Sequence, residues 1–292
     1  MRPQLEISGR THMVCLLGNP TSHSLSPAIH DLSFKLLGID SVYLCFDLTS
    51  DDLAGIVSAF KAMESWDGFN VTMPYKQAIV EHLYGLDETA ELIGAVNVVS
   101  KSIEGYVIGH NTDGVGFMAS LADCGVCAKG ARMVLLGPGG AGRAILVQAA
   151  LDGVAHIDVF ARAAGNSYRE TQDVIEGVVE RTGCEITLYD FASKSDLEKC
   201  VQAADILVNT TPIGMGENCT DTPVPAQFIK PGMVVADAIY YPRETQLICD
   251  AKACGCTVVP GLGMLLQQAA ASEEIWYGVD MPTQEIASQL FE

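Results

Sequence analysis

Apolar positions along this chain fall into short continuous runs that alternate with stretches of helical spacing. Met13-Val-Cys-Leu-Leu17 is one such run; it stops at Gly18 and predicts a buried strand. Ser26-Pro27 opens a helix that extends to Leu37, with proline in the first turn, where no hydrogen bond is lost, and Gly38 as the stop. Val42–Leu48 reads as a second strand, Asp51–Met63 as a second helix, and Gly68–Thr72 as a third strand that breaks at Pro74. This alternation predicts a mostly parallel sheet covered by helices, an α/β architecture.

The pattern loosens between Asn97 and Asn111, around Gly105 and Gly109, and an amphipathic helix follows over Asp113–Gly125. After Gly130 a second α/β unit begins. Its predicted elements are a strand at Met133–Leu136, a helix at Gly142–Leu151, a strand at His156–Phe160 and a helix at Tyr168–Thr182. Further strands are predicted at Glu185–Leu188, Asp205–Asn209 and Met233–Asp237, then a helix at Met264–Gly278 and a last one from Thr283. No internal repeat or low-complexity stretch interrupts the series.

The turn after the Met133–Leu136 strand reads Gly137-Pro-Gly139-Gly140-Ala141-Gly142, a G-x-G-x-x-G sequence between a strand and a helix. Glycines there let the backbone turn tightly and approach a pyrophosphate, while the helix N-terminus offers free N–H groups and a positive dipole end. The context therefore predicts a dinucleotide. The strand that follows ends in Arg162, with no carboxylate in sequence before Glu170. Arg162 suits a 2′-phosphate, which leans the reading towards NADP and leaves NAD open.

Composition narrows the partners. The 292 residues suffice for two domains of ordinary size, and 36 Asp and Glu against 17 Lys and Arg give a formal net charge of -19. Such a surface repels phosphate backbones and anionic lipid, so neither nucleic acid nor a membrane is an expected partner, and a small molecule is. No apolar run reaches the roughly 18 residues that span a bilayer, and Met1–Met13 is too polar for a secretory signal; a cytoplasmic location is the expectation. The ten cysteines, including the close pairs Cys124/Cys127 and Cys254/Cys256, are expected as reduced thiols, and no spacing among them predicts a metal site. The oligomeric state is not legible, so a homodimer stays open.

Four segments are polar where an α/β core is apolar. Ser24 and Ser26 flank the start of the first helix, where two hydroxyls beside a helix N-terminus suit a carboxylate; either could instead be an ordinary N-cap. Asn70 and Thr72 share one face at strand spacing, and Lys76 follows just past the strand end, where α/β folds bind ligands. Asn97 closes Gly94-Ala-Val-Asn97, and Asp113 lies in Asn111-Thr-Asp113-Gly114.

In order along the chain, HSLSP, NVTMPYK, GAVN, NTDGVGF, GPGGAGRAI, NTTPIGM and PGLGMLLQQA resemble the shikimate dehydrogenase family, its quinate/shikimate branch included. The resemblance runs from about Val14 to Gly278. It implies an NAD(P)-dependent oxidoreductase of aromatic amino acid biosynthesis that interconverts 3-dehydroshikimate and shikimate, with quinate as a second substrate. It implies Ser24 and Ser26 at the substrate carboxylate, and Thr72, Asn97 and Gln268 at ring hydroxyls, with Tyr240 nearby. Lys76 and Asp113 become the catalytic pair. Gly137, Gly139, Gly140, Ala141, Gly142, Arg162, Asn209, Thr210, Met215 and Gly261 fall to the cofactor.

Two departures bear on the cofactor. The family's N-R-T run reads Ala161-Arg162-Ala163, and the Asp of NAD-using relatives is replaced by Ala164. The implied fold is an N-terminal α/β substrate domain, residues 1–112, completed by C-terminal helices at 262–292. A doubly wound Rossmann-type dinucleotide-binding domain occupies 113–261. The return of the C-terminal helices follows from Gln268, which reaches a substrate on the first domain only if its helix packs there. Two alternatives compete: a catalytically silent dinucleotide- or metabolite-binding regulator, against which Lys76 and Asp113 speak, and a dehydrogenase of an amino-substituted ring acid.

Overall fold

The computed structural model describes residues 7–49, 52–216 and 219–291. The chain divides into two compact units, residues 1–112 with 268–292 and residues 113–267.

Unit 1 begins with β1 (His12–Gly18), α1 (Ser26–Leu37), β2 (Ser41–Asp47), α2 (Leu53–Ala62) and β3 (Trp66–Val71). A short 3₁₀ turn (Ala78–His82) leads to β4 (Gly85–Leu86), α3 (Glu88–Ile93), β5 (Val98–Lys101) and β6 (Val107–His110). The sheet order is β2-β1-β3-β5-β6-β4. β1 pairs in parallel with β2 and β3, whereas β5 is antiparallel to both β3 and β6. The stretch that looks irregular in sequence is therefore a hairpin: its strands are four residues long, too short to show a period, and their glycines mask the rest. β3 ends at Val71, one residue before Thr72, so Asn70 and Thr72 do not continue along one strand face. Asp51, the expected start of the second helix, lies outside the described residues; Asp52 caps α2 instead, its carboxylate accepting from the Gly55 N–H.

Unit 2 holds α4 (Asp113–Asp123), β7 (Arg132–Leu136), α5 (Gly140–Leu151), β8 (His156–Ala161), α6 (Asn166–Thr182) and β9 (Glu185–Asp190). It continues with α7 (Lys194–Ala203), β10 (Ile206–Asn209), β11 (Val234–Asp237), α8 (Gln246–Ala253) and β12 (Thr257–Val259). Its sheet is all parallel in the order β12-β11-β10-β7-β8-β9, which is the doubly wound arrangement, with the reversal between β7 and β10. Val134, Leu135, Leu136, Leu207, Val208 and Val235 have no exposed surface, as strands covered on both faces require. The sequence pattern does not predict helices α7 and α8. α7 is short and strongly charged, and α8 carries only a narrow apolar stripe of Leu247, Ile248 and Ala251.

Helix α9 (Gly261–Tyr277) contains the second crossing between units, after Gln267, and α10 (Thr283–Phe291) closes the chain against α1. Residues 261–267 belong with unit 2: the Gln267 amide donates to Asp123 at 2.5 Å, and Gly263 packs on Ser120. No helix among the described residues is long and apolar enough to cross a membrane.

Candidate functional site

In unit 1 the carboxyl ends of β1, β2 and β3 lie level, with Gly18 opposite Asp47 and Leu17 opposite Val71. The loops after β1 and β3 therefore leave the sheet side by side. They are in close contact: a Cβ on Gly18 would come within 2.2 Å of the Thr72 Cγ2, and the Asn19 N–H donates to the Met73 carbonyl at 3.0 Å. After β1, Thr21 donates both its N–H and its hydroxyl to Asp47 at 2.6 Å, which holds that carboxylate below its ordinary range.

The loop then delivers Ser24 and Ser26. Leu25, not a serine, is the N-cap of α1 and makes no side-chain cap bond. Ser24 Oγ accepts from the Ser26 N–H at 3.2 Å, a local turn of the kind serines make ahead of a helix. Beyond β3, the Thr72 N–H is fixed to the Leu17 carbonyl at 2.9 Å, and the Lys76 carbonyl accepts from Val96 N–H at 2.8 Å.

Asn97 arrives at the same edge from the start of β5. It is buried, its carbonyl accepts from the Val71 N–H at 2.9 Å, and its side chain pairs with Thr112: Nδ2 donates to Oγ1 at 3.0 Å and Oδ1 accepts from the backbone N–H at 2.8 Å. Gln268 is reached through Ser272, whose hydroxyl donates to the Gln268 carbonyl at 2.8 Å and lies 3.5 Å from Thr112 Oγ1. Unit 1 thus gathers Ser24, Ser26, Thr72, Lys76 and Asn97 on one sheet edge.

Two further groups brace this edge without a role implied by the sequence. Asn70 is buried; its Oδ1 accepts from the Tyr43 hydroxyl at 2.6 Å, and its Nδ2 donates to the Asn97 carbonyl at 3.0 Å. Burial pushes the Tyr43 phenol well above its ordinary value, so it stays a donor. An aromatic residue within a strand looks like core, and nothing in sequence separates Tyr43 from one.

In unit 2 the glycine turn follows β7 at the strand-order reversal. Gly137 has φ +85, a left-handed conformation that favours glycine. A Cβ on Gly142 would stand 2.4 Å from the Gly137 carbonyl, so the third glycine allows the helix to pack on the turn. Gly139 and Gly140 differ: a Cβ on either meets no protein atom within 4 Å. Their bareness leaves open space at the N-terminus of α5, where Ala141 follows and where a helix end offers free N–H groups.

The Thr210 hydroxyl is spent on this turn, 2.8 Å from the Leu136 carbonyl and 2.6 Å from that of Gly137. Asn209 is fully buried; Nδ2 donates to Asp237 at 3.1 Å and Oδ1 accepts from the Thr211 N–H at 3.0 Å. Its amide therefore shapes the loop that exposes Met215. Asp237, at the end of β11, is buried among neutral donors. Burial pushes its carboxyl up to about 6 despite bonds from Thr245, Ile239 and Asn209. Tyr240 follows three residues on, its phenol pushed up by burial. Gly261 lets α9 start against the backbone of Ala238, whose carbonyl a Cβ at this position would approach to 2.6 Å.

Arg162 is exposed after β8. The first carboxylate after it in sequence, Glu170, is taken by Arg143. The structure supplies another from β9: Asp190 accepts from the Ala163 N–H at 3.4 Å. Asp190 lies 28 positions from Arg162, too far along the chain for a strand-end motif to reveal it. Among the described residues no group of three or more His, Cys, Asp and Glu could hold a metal.

Two family models match: the shikimate dehydrogenase substrate binding domain over residues 16–99, and the shikimate 5′-dehydrogenase C-terminal domain over 261–291. A shikimate dehydrogenase (NADP(+)) of Listeria monocytogenes serotype 4b is 38% identical over 286 residues, 98% of this chain and 97% of that protein. The chain belongs to the shikimate dehydrogenase family. A crystal structure of shikimate 5-dehydrogenase from Listeria monocytogenes with shikimate and NAD superposes with TM-score 0.94 at 38% identity, covering 100% of both chains. Quinate dehydrogenase from Corynebacterium glutamicum, with NAD, gives TM-score 0.86 at 28% identity over 95% of this chain and 98% of that one. Family membership accounts for the pairing of a polar sheet edge in unit 1 with a bare glycine turn in unit 2.

Proposed function

We propose that the protein reduces 3-dehydroshikimate to shikimate and runs the reverse reaction, with NADP as hydride carrier. The observation that carries the reading is the set on the unit 1 edge: two serine hydroxyls at the start of α1, a threonine hydroxyl, a buried amide and one lysine. That set matches a ring acid with one carboxylate and several hydroxyls. Ser24 and Ser26 take the carboxylate, while Thr72, Asn97 and Gln268 take hydroxyls.

The bound cofactor supplies the hydride chemistry, and its phosphates would lie on Gly137, Gly139, Gly140 and Gly142. When the alcohol is oxidised, its hydroxyl proton must leave as the hydride departs; in this reading Lys76 takes it, and Asp113 is the carboxylate that the family resemblance assigns to the catalytic pair. In the reducing direction the Lys76 ammonium returns the proton and stabilises the developing alkoxide.

Arg162 supports NADP. NAD is the second reading, supported by Asp190 beside the Arg162 loop and by the NAD in the Listeria complex. Quinate is the second substrate. Initial rates at the nicotinamide absorbance band, with shikimate or quinate and each cofactor, test the proposal. Fastest turnover with shikimate and NADP supports it, and no turnover in any pairing sinks it.

A further inference from the structure

Behind the unit 1 edge lies a buried polar cluster that hydride transfer does not require. On α1, Ser26, His30, Ser33 and Phe34 recur at helical spacing and all are buried. On α9, Glu273 lies four residues beyond Ala269 on the inward stripe and is fully buried. A buried carboxylate persists only when it is paired and hydrogen-bonded, and both oxygens of this one are gripped from α1. Its Oε1 is 2.7 Å from His30 Nδ1, and its Oε2 accepts from the Ser33 hydroxyl at 2.5 Å.

His30 is committed to that contact, because its buried Nε2 has no partner among the described residues. The flat face of the imidazole stacks on Tyr43, with centroids 4.4 Å apart and planes inclined by 8°. Tyr43 in turn reaches Asn70 through its hydroxyl and the α1 residue Asp31 through its backbone N–H at 2.9 Å. One connected path therefore runs from Glu273 through His30 and Tyr43 to Asn70 and Asn97.

Apolar side chains of the same volume commonly stabilise such a place as well as a buried ionic group does, and the best-attested use of the ionic group is to fix register. The register at stake here is that of α1 against α9. Ser24 and Ser26 stand at the start of α1, and Gln268 lies five residues before Glu273 on α9. We propose that Glu273, gripped by His30 and Ser33, is a positioning residue that sets the spacing between the carboxylate-binding serines and the hydroxyl-binding Gln268. The inference rests on the ring-acid reading above. It predicts that loosening the grip weakens substrate binding while the cofactor step and the chemistry persist.

The test compares Glu273→Ala and Glu273→Gln with the parent, using Val57→Ala as a control that opens a cavity in a separate core cluster of unit 1. Glu273→Ala is expected to raise the KM for shikimate about tenfold with kcat within about threefold, the signature of lost uniform binding, and to leave the KM for NADP unchanged. Glu273→Gln keeps the shape and a hydrogen-bonding end, so its KM should stay within about threefold of the parent. Val57→Ala should lower the melting temperature and leave KM alone. Equal KM values in parent and Glu273→Ala, with only a drop in melting temperature like that of Val57→Ala, overturn the proposal and leave the ring-acid reading intact. Calorimetric binding of shikimate covers an inactive parent: binding without turnover removes the dehydrogenase reading while the Kd ratio still decides the clamp, and no binding at all overturns both.

Discussion

At the carboxyl edge of the unit 1 sheet the candidate binding groups are side chains, whereas at that of unit 2 they are largely backbone. Ser24, Ser26, Thr72, Lys76 and Asn97 come from three separate loops, and buried polar groups such as Asn70 and Tyr43 hold them. The Gly137–Gly142 turn carries four glycines, and the polar groups nearby, Thr210 and Asn209, are turned inward to brace it. Their buried carboxylates differ in the same sense. Glu273 has an imidazole and a hydroxyl against it, while Asp237 is bonded by neutral donors and is pushed up to about 6. A ring acid with few atoms must be read by individual side chains. A pyrophosphate can be held by N–H groups and a helix dipole.

The comparison breaks first at Lys76. If unit 1 chemistry lives in one side chain, Lys76→Ala should lower kcat by about 100-fold or more with the shikimate KM largely retained. A variant whose kcat survives and whose KM alone rises would show Lys76 to be a binding group, and the acid–base role would have to move elsewhere.

Asp237 offers the next test, with the sign set by its raised pKa. Below about pH 4 the carboxyl is protonated in both folded and unfolded chains, and its stabilising share is fully present. As the pH climbs through 6 the folded protein must ionise a buried group, and that share is lost. Asp237→Asn cannot ionise. Its unfolding free energy relative to the parent should therefore rise by up to about 3 kcal/mol between pH 4 and pH 7, then level off. Urea titrations of both proteins across that range check it, and a pH-independent difference refutes it.

What the sequence shows of each half follows from the same contrast. The glycine turn is local: six consecutive residues between a strand and a helix declare it, and the doubly wound order then follows from repeated βα units. The unit 1 edge is assembled from loops far apart in the chain, so Ser24, Thr72, Lys76 and Asn97 each look ordinary until seven motifs stand in family order. The β5–β6 hairpin stays hidden because four-residue strands carry too little period. His30 and Glu273, 243 positions apart, give no signal, since a Glu next to Glu274 on a helix reads as a solvated face.

Two glycine substitutions sharpen the claim that unit 2 binds by absence. At Gly142 an added methyl meets the Gly137 carbonyl and the Thr210 hydroxyl, so Gly142→Ala should cost about 1–3 kcal/mol of stability along with cofactor affinity. At Gly140 the same methyl meets no protein atom, so Gly140→Ala should hold or raise stability by roughly 0.4–1 kcal/mol. Its NADP KM should still rise several-fold, because the methyl would enter the space the proposed phosphates take. Equal cofactor KM values in Gly140→Ala and the parent would mean that the phosphates lie elsewhere.

The smallest expected effect concerns Arg162, the side chain proposed to read the ribose end in unit 2. On the proposed reading Arg162 would meet a 2′-phosphate, while the Asp190 carboxylate, bonded to the Ala163 and Ala192 N–H groups, would stand against added negative charge. Both are exposed, so solvent screens the repulsion and its removal changes little. Asp190→Asn keeps an oxygen to accept those N–H groups and should lower the KM for NADP about twofold to threefold while leaving that for NAD in place. The gain should fade as ionic strength rises towards 1 M, where the Debye length falls to about 3 Å. Parallel changes with both cofactors would assign Asp190 to loop geometry instead, and would leave Arg162 as the sole side-chain reader of the ribose end.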